Sequence, residues 1–208
     1  MRTLASAALH GAAVTITALA ALRATDPVLA VAVVAAVSVL LTWFAALSST
    51  EDASGLDATG TLPGVALAIV GRSAWGTLLP VLAVQAVLAV AIGAAANALD
   101  DRLGPTLLLA EPTLVLAAVT GALVGITSAW VTLSIDGGGP VALSAVPALV
   151  AGGTGPLALL GAFNPALLLG LATAGLIPWD ATAIALVAAV AGAVVGTYTV
   201  SALLPHDE

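Results

Sequence analysis

Few side chains in this sequence are equipped for chemistry, and Asn164 is the most informative of them. Pro165 and Ala166 follow it, and the run Gly152-Gly153-Thr154-Gly155 precedes it within an apolar region. A carboxamide donates through its NH2 and accepts through its oxygen. Asparagine is a favoured helix N-cap, proline suits the first helical turn, and the residue before a proline is pushed out of helical geometry. The stretch therefore predicts irregular backbone entering a short apolar helix at Pro165, with an amide at its positive end. Such an end can orient a neutral hydrogen-bonding molecule and disfavour a cation. Capping a buried helix is the plainer role for the same residue. His10 and Glu111 are the ionisable groups near span ends, where such groups are costly and usually functional or paired. His10 fits a core histidine bonded to a loop carbonyl, or a proton switch. The sequence offers no nucleophile with a base, no His/Glu metal spacing and no phosphate loop, so the expectation is no enzyme, no cofactor and no metal.

The elements that must position these residues are apolar. Of 208 residues, 61% are hydrophobic and 7% charged, against roughly 25% charged in an average soluble domain. Mean hydropathy is +1.20. A chain of this kind belongs in a bilayer, and a multi-pass protein of the cell membrane is expected. Cysteine and lysine are absent, four arginines face eleven carboxylates, and the net charge is −7. That balance excludes nucleic acid as a partner and works against docking on anionic lipid. The 21 glycines, with abundant alanine, allow helices to approach closely.

A spanning helix takes about 20 apolar residues. Thr3 to Leu22 supplies the first, read as a span rather than a cleaved signal, and Val28 to Ser48 the second. The polar stretch Ser49 to Thr61 carries Glu51, Asp52 and Asp57. Leu62 to Val70, closed by Gly71-Arg72-Ser73, is too short to span and reads as re-entrant. Thr77 to Leu99 is the next span, despite Pro80 and Gln85, and Asp100 to Pro105 is a linker. Glu111 to Ile135 begins a second copy. Asp136 to Pro140 is its turn and Val141 to Ala151 the core of its second span. The half-helix from Pro165, the turn Pro178-Trp179-Asp180, the span Ala181 to Leu204 and the tail Pro205 to Glu208 complete it. Three spans per half make the copies inverted. Short interrupted segments at matching places then point to a central permeation site. One transmembrane domain over 1–208 is expected, with repeats at about 1–102 and 103–208.

Gly161-Ala162-Phe163-Asn164-Pro165-Ala166 followed by an apolar half-helix resembles the second re-entrant loop of the aquaporin and glycerol-facilitator (major intrinsic protein) family. Leu62-Pro63-Gly64-Val65-Ala66-Leu67 resembles a degenerate first loop, with Leu62 and Gly64 in the places of asparagine and alanine. Gly71-Arg72, Leu79-Pro80 and Val84-Gln85 also stand where related proteins have similar residues. The resemblance implies an all-α membrane fold of six transmembrane helices and two re-entrant half-helices. It further implies passive flow of water or small uncharged solutes such as glycerol, and a homo-tetramer.

By the same resemblance, Asn164, Pro165, Ala166, Leu62, Pro63 and Gly64 form the pore motifs. Leu62 donates nothing, which suits either a pore with one polar and one apolar station or a half that no longer conducts. Glu111 fits the glutamate that braces the second loop, with an interfacial acid as the alternative, and His10 stands at the matching first-half place. The narrow filter falls at Trp43, Gly152, Gly161 and Leu167. Leucine there replaces an arginine, and a tryptophan beside glycines suits a glycerol facilitator; ordinary packing is an equal reading of Trp43. Trp75, Trp130 and Trp179 read as interfacial anchors, and Gly121-xxx-Gly125 and Gly192-xxx-Gly196 as close-packing faces. A coupled transporter and a non-conducting structural or regulatory protein are the rival functions. Arg2 and Arg72 on one side against Arg23 and Arg102 on the other leave the orientation open by charge.

Overall fold

The computed structural model describes residues 2–23, 26–48, 62–107, 111–134, 140–154 and 157–203. The polar stretch 49–61, most of the 136–140 turn and the tail 205–208 lie outside them. The helices in order are α1 (Arg2–Ala21), α2 (Pro27–Ser48), α3 (Leu62–Ile69), α4 (Trp75–Ala98), α5 (Asp100–Leu103), α6 (Leu114–Ser134), α7 (Pro140–Thr154), α8 (Pro165–Thr173) and α9 (Trp179–Leu203). A 3₁₀ segment, Leu157–Phe163, precedes α8. The described residues form no strand.

Five helices are long and apolar enough to cross a membrane: Thr3–Ala21, Pro27–Phe44, Trp75–Ala98, Leu114–Leu133 and Trp179–Leu203. Their outward faces carry valine and leucine, with Val28, Val87, Val115 and Val187 all more than two-thirds exposed. An apolar surface of that extent suits lipid. The described arginines and carboxylates stand at or beyond helix ends. Arg23 is held there by the Leu19 carbonyl at 2.6 Å and by Asp100 at 3.5 Å. The sixth expected span is not among these five. It appears as α7, with 15 residues, about 22 Å at 1.5 Å per residue and short of a roughly 30 Å hydrocarbon core. Gly152-Gly153 lies at its end, and beyond it the chain tightens into the 3₁₀ segment.

Small residues set the packing. A methyl group on Gly121 would meet the carbonyl of Ala185, one on Gly125 that of Ala189, and one on Gly192 that of Ala122. A methyl on Gly196 would lie 2.9 Å from Ile126 Cα. The two small-residue faces therefore pack on each other, and residue numbers rise together along both helices, so α6 and α9 run parallel. Trp130 extends the pairing, its indole N–H donating to Thr199 Oγ1 at 2.9 Å. The first half repeats the arrangement: Gly11 lies against Gln85 Cα, and one turn on Thr15 and Ala89 both border Gly170, so α1 and α4 also run parallel. The Leu107 N–H donates to the Leu22 carbonyl, and the far ends of α6 and α9 share a cleft with Arg72, just ahead of the start of α4. The second parallel pair accordingly runs opposite to the first. α2 and α7 cross between them, where Gly152 meets Val31.

The two short helices are exchanged between the halves. α3 packs principally on α6 and α9 of the second half, and α8 principally on α4 of the first. Gly93 and Gly170 bring α4 and α8 into backbone contact.

This packing gives a direct test. Gly125→Leu forces a side chain into the backbone of α9, and overpacking costs at least about 1–3 kcal/mol. Its thermal unfolding midpoint in detergent should fall well below that of the parent. Gly153→Ala, which meets nothing within 4 Å, should stay within about 0.5 kcal/mol of it.

Candidate functional site

Asn164 sits in extended geometry (φ −131°, ψ 108°) between the 3₁₀ segment and α8. Its Oδ1 accepts from the N–H groups of Ala166 at 3.0 Å and Leu167 at 3.4 Å, and Pro165 occupies the first helical position. Its backbone N–H donates to Gly161 and its carbonyl accepts from Leu168. With the oxygen committed to the helix, the planar amide turns its NH2 away from α8. The capping expected from the sequence is therefore present. It does not by itself mark a special site, because Asp26-Pro27 starts α2 in the same way. There Asp26 Oδ1 accepts from Val28 at 2.8 Å and Leu29 at 3.2 Å. What separates the two is burial. Asp26 is exposed, whereas Asn164 is 1% exposed.

The short helices also end alike. In α3, Gly71 (φ 75°) follows the last turn, Gly71 N–H donates to Ala68 and Arg72 N–H to Leu67. In α8, Gly175 (φ 76°) does the same, with bonds to Ala172 and from Leu176 to Leu171. Both are Schellman closures, which need a left-handed residue and satisfy carbonyls that would otherwise be stranded. Trp75 and Trp179 then open α4 and α9 at matching distances.

The starts differ. Pro63 stands nearer to Gly71 than Pro165 does to Gly175, and the helix already includes Leu62. Leu62 is fully buried and lies within α3. Thr61, ahead of it, lies outside the described residues. Gly64 lies where a methyl would be 2.7 Å from Leu78 Cδ1, so it serves the contact of α3 with α4.

The expected filter residues are not brought together on an open surface. Gly152 is pressed on Val31, where a methyl would stand 2.6 Å from Cγ1. Gly161 is pressed on Leu168, with a methyl 3.0 Å from its backbone nitrogen. Leu167 is 1% exposed. Trp43 belongs to the exposed stripe of α2 with Leu29 and Leu40, and its ring lies 5.5 Å from that of Phe44. It joins Trp75, Trp130 and Trp179, all exposed and near helix ends, in the pattern of interfacial tryptophans.

Among the described residues, neither expected brace hydrogen-bonds to the Asn164 loop. Glu111 is exposed ahead of α6. His10 is buried in α1 with no partner at Nδ1, and the loop carbonyl expected for it is not found there. Gln85, fully buried and packed by its stem on Gly11, is the polar core residue that the sequence marked only as an interruption. The signal was available, since an amide inside an apolar span demands a buried partner. The buried hydroxyls of Thr15, Ser38, Thr42, Thr132 and Thr197 each donate to a carbonyl one turn earlier. They are satisfied within their own helices and need not mark a polar path.

No protein-family model matches the sequence, and no curated protein is significantly similar to it. The site is therefore argued from its own geometry.

Capping and donation by Asn164 can be separated by substitution. Asn164→Ala removes the acceptor and should lower unfolding stability by about 1 kcal/mol. Asn164→Ser keeps a capping oxygen and should recover most of that loss while lacking the NH2. Denaturation of both variants in one detergent checks this.

Proposed function

We propose that this chain is a membrane channel of aquaporin-like architecture, passing water or small uncharged solutes such as glycerol without coupling or catalysis. In this reading the helices span the cell membrane as two inverted repeats, α7 together with the segment beyond it completes the sixth crossing, and α3 and α8 are the re-entrant half-helices. The observation that carries the reading is the exchange of those two helices: each is buried mainly against the other half and closed by the same glycine motif. A buried helix start with an amide at its positive end provides what a neutral permeant needs and a cation avoids. Asn164 would present its NH2 to the permeant, and Pro63 and Pro165 would fix the half-helix starts. Assembly as a homo-tetramer is part of the same proposal.

A second reading has its own support. Leu62, Leu167 and Leu168 are at most 1% exposed, as is Asn164, and the candidate filter glycines are occupied by packing. A centre built that way suits an occluded channel or a membrane scaffold that no longer conducts.

Stopped-flow light scattering on the purified protein in liposomes separates these. Under an impermeant osmolyte a channel shrinks the liposomes faster than protein-free controls. Asn164→Trp should abolish the excess, and re-swelling in glycerol identifies a solute facilitator. Correctly folded protein with no excess in either solute would leave the scaffold reading standing and remove the channel reading.

A further inference from the structure

We propose that the cleft where α3, α6 and α9 end binds the phosphate headgroup of an anionic phospholipid, with Arg72 as its charged donor. The cleft holds about 270 Å³ and is lined by Val70, Arg72, Leu133, Val200 and Ser201. That is the volume of roughly nine water molecules, enough for a phosphate and the start of its glycerol. It lies in the last turns of α6 and α9, at the level where α4 begins, because Arg72 stands just ahead of Trp75. Trp75 is 47% and Trp130 45% exposed, and Trp130 is tied to Thr199 at this same end. Tryptophans so placed mark the headgroup layer.

The chemistry of the wall is amphipathic. Val70, Leu133 and Val200 offer an apolar face for the upper part of an acyl chain. Ser201 spends its hydroxyl proton on the Thr197 carbonyl at 2.9 Å, so the guanidinium is the charged donor. Among the described residues Arg72 has no carboxylate partner, whereas Arg23 is paired with Asp100. An arginine fork matches phosphate oxygens two at a time. The net charge of −7 opposes general adsorption to an anionic surface, so retention of an anionic lipid has to come from a local site. The Schellman turn at Gly71 fixes the backbone from which Arg72 projects. The inference depends on the membrane reading and not on conduction.

The test is native mass spectrometry of the purified protein titrated with dioleoyl phosphatidylglycerol, and separately with phosphatidylcholine of the same chains. The expected result is retained phosphatidylglycerol with a preference of roughly fivefold to tenfold over phosphatidylcholine. R72Q should lose that preference, and R102Q, which changes an exposed arginine at the opposite end of the bundle, should keep it. Circular dichroism and elution volume establish that each variant folds. Should R72Q fail to fold, S201W fills the cleft from an exposed position and should lose the preference with Arg72 in place. The proposal is overturned if folded R72Q or S201W retains the preference, if R102Q abolishes it equally, or if millimolar inorganic phosphate displaces the lipid, which would mark a soluble-anion site.

Discussion

A buried helix has two ends, and in an apolar surrounding neither can turn to water. The four N–H groups at its start and the four carbonyls at its finish must find partners in the protein. Long spans meet this demand by ending where solvent or headgroups begin. α3 and α8 do so only at their far ends, where Gly71 and Gly175 are exposed, and their buried starts shape the rest. Asn164 supplies the acceptor at the start of α8, while Gly71 and Gly175 fold the chain back so that the next two N–H groups answer the last carbonyls. The turn that satisfies those carbonyls also redirects the chain into the following long helix.

The second demand is proximity. Short helices can be enclosed only if the long ones around them close up, and in this chain they close to backbone contact. Glycine and alanine supply the contact surface along α6 and α9 and again between α4 and α8. Hydroxyls in these helices bond to their own backbone, so the close approach does not strand polar groups between helices. Among the described residues, buried side-chain polar atoms left without a hydrogen bond, such as His10 Nδ1 and Ser128 Oγ, are few.

Much of this was legible in the residues. The long apolar runs located the five long helices, nearly with their boundaries, and the membrane character. The Asn-Pro pair announced its cap, because the chemistry of that cap is local. The packing glycines were legible as faces, although not which face met which, since that depends on residues far apart in the chain. The length of α7 was not legible: it runs from Pro140 through Gly152 and Gly153 to Thr154, beyond the core read at Val141 to Ala151. The match of Leu62 with Asn164 was less legible, because the stretch from proline to closing glycine is shorter in α3 than in α8. Trp43 was ambiguous for a related reason: an aromatic near the end of a span faces a lumen or lipid according to a rotation of about 100° per residue, which composition does not set.

The exchange of α3 and α8 has a consequence for biogenesis. α3 is made before either of its main neighbours, and an eight-residue helix is far below the length that holds itself together in isolation. Its seat is formed only when α6 and α9 have come together, and α9 follows every other described helix off the ribosome. The first half therefore cannot be finished on its own. Its short helix waits in a provisional place while α4 to α9 are still to be made. A nascent chain cut short before α9 would lack one of the two main walls against which α3 packs.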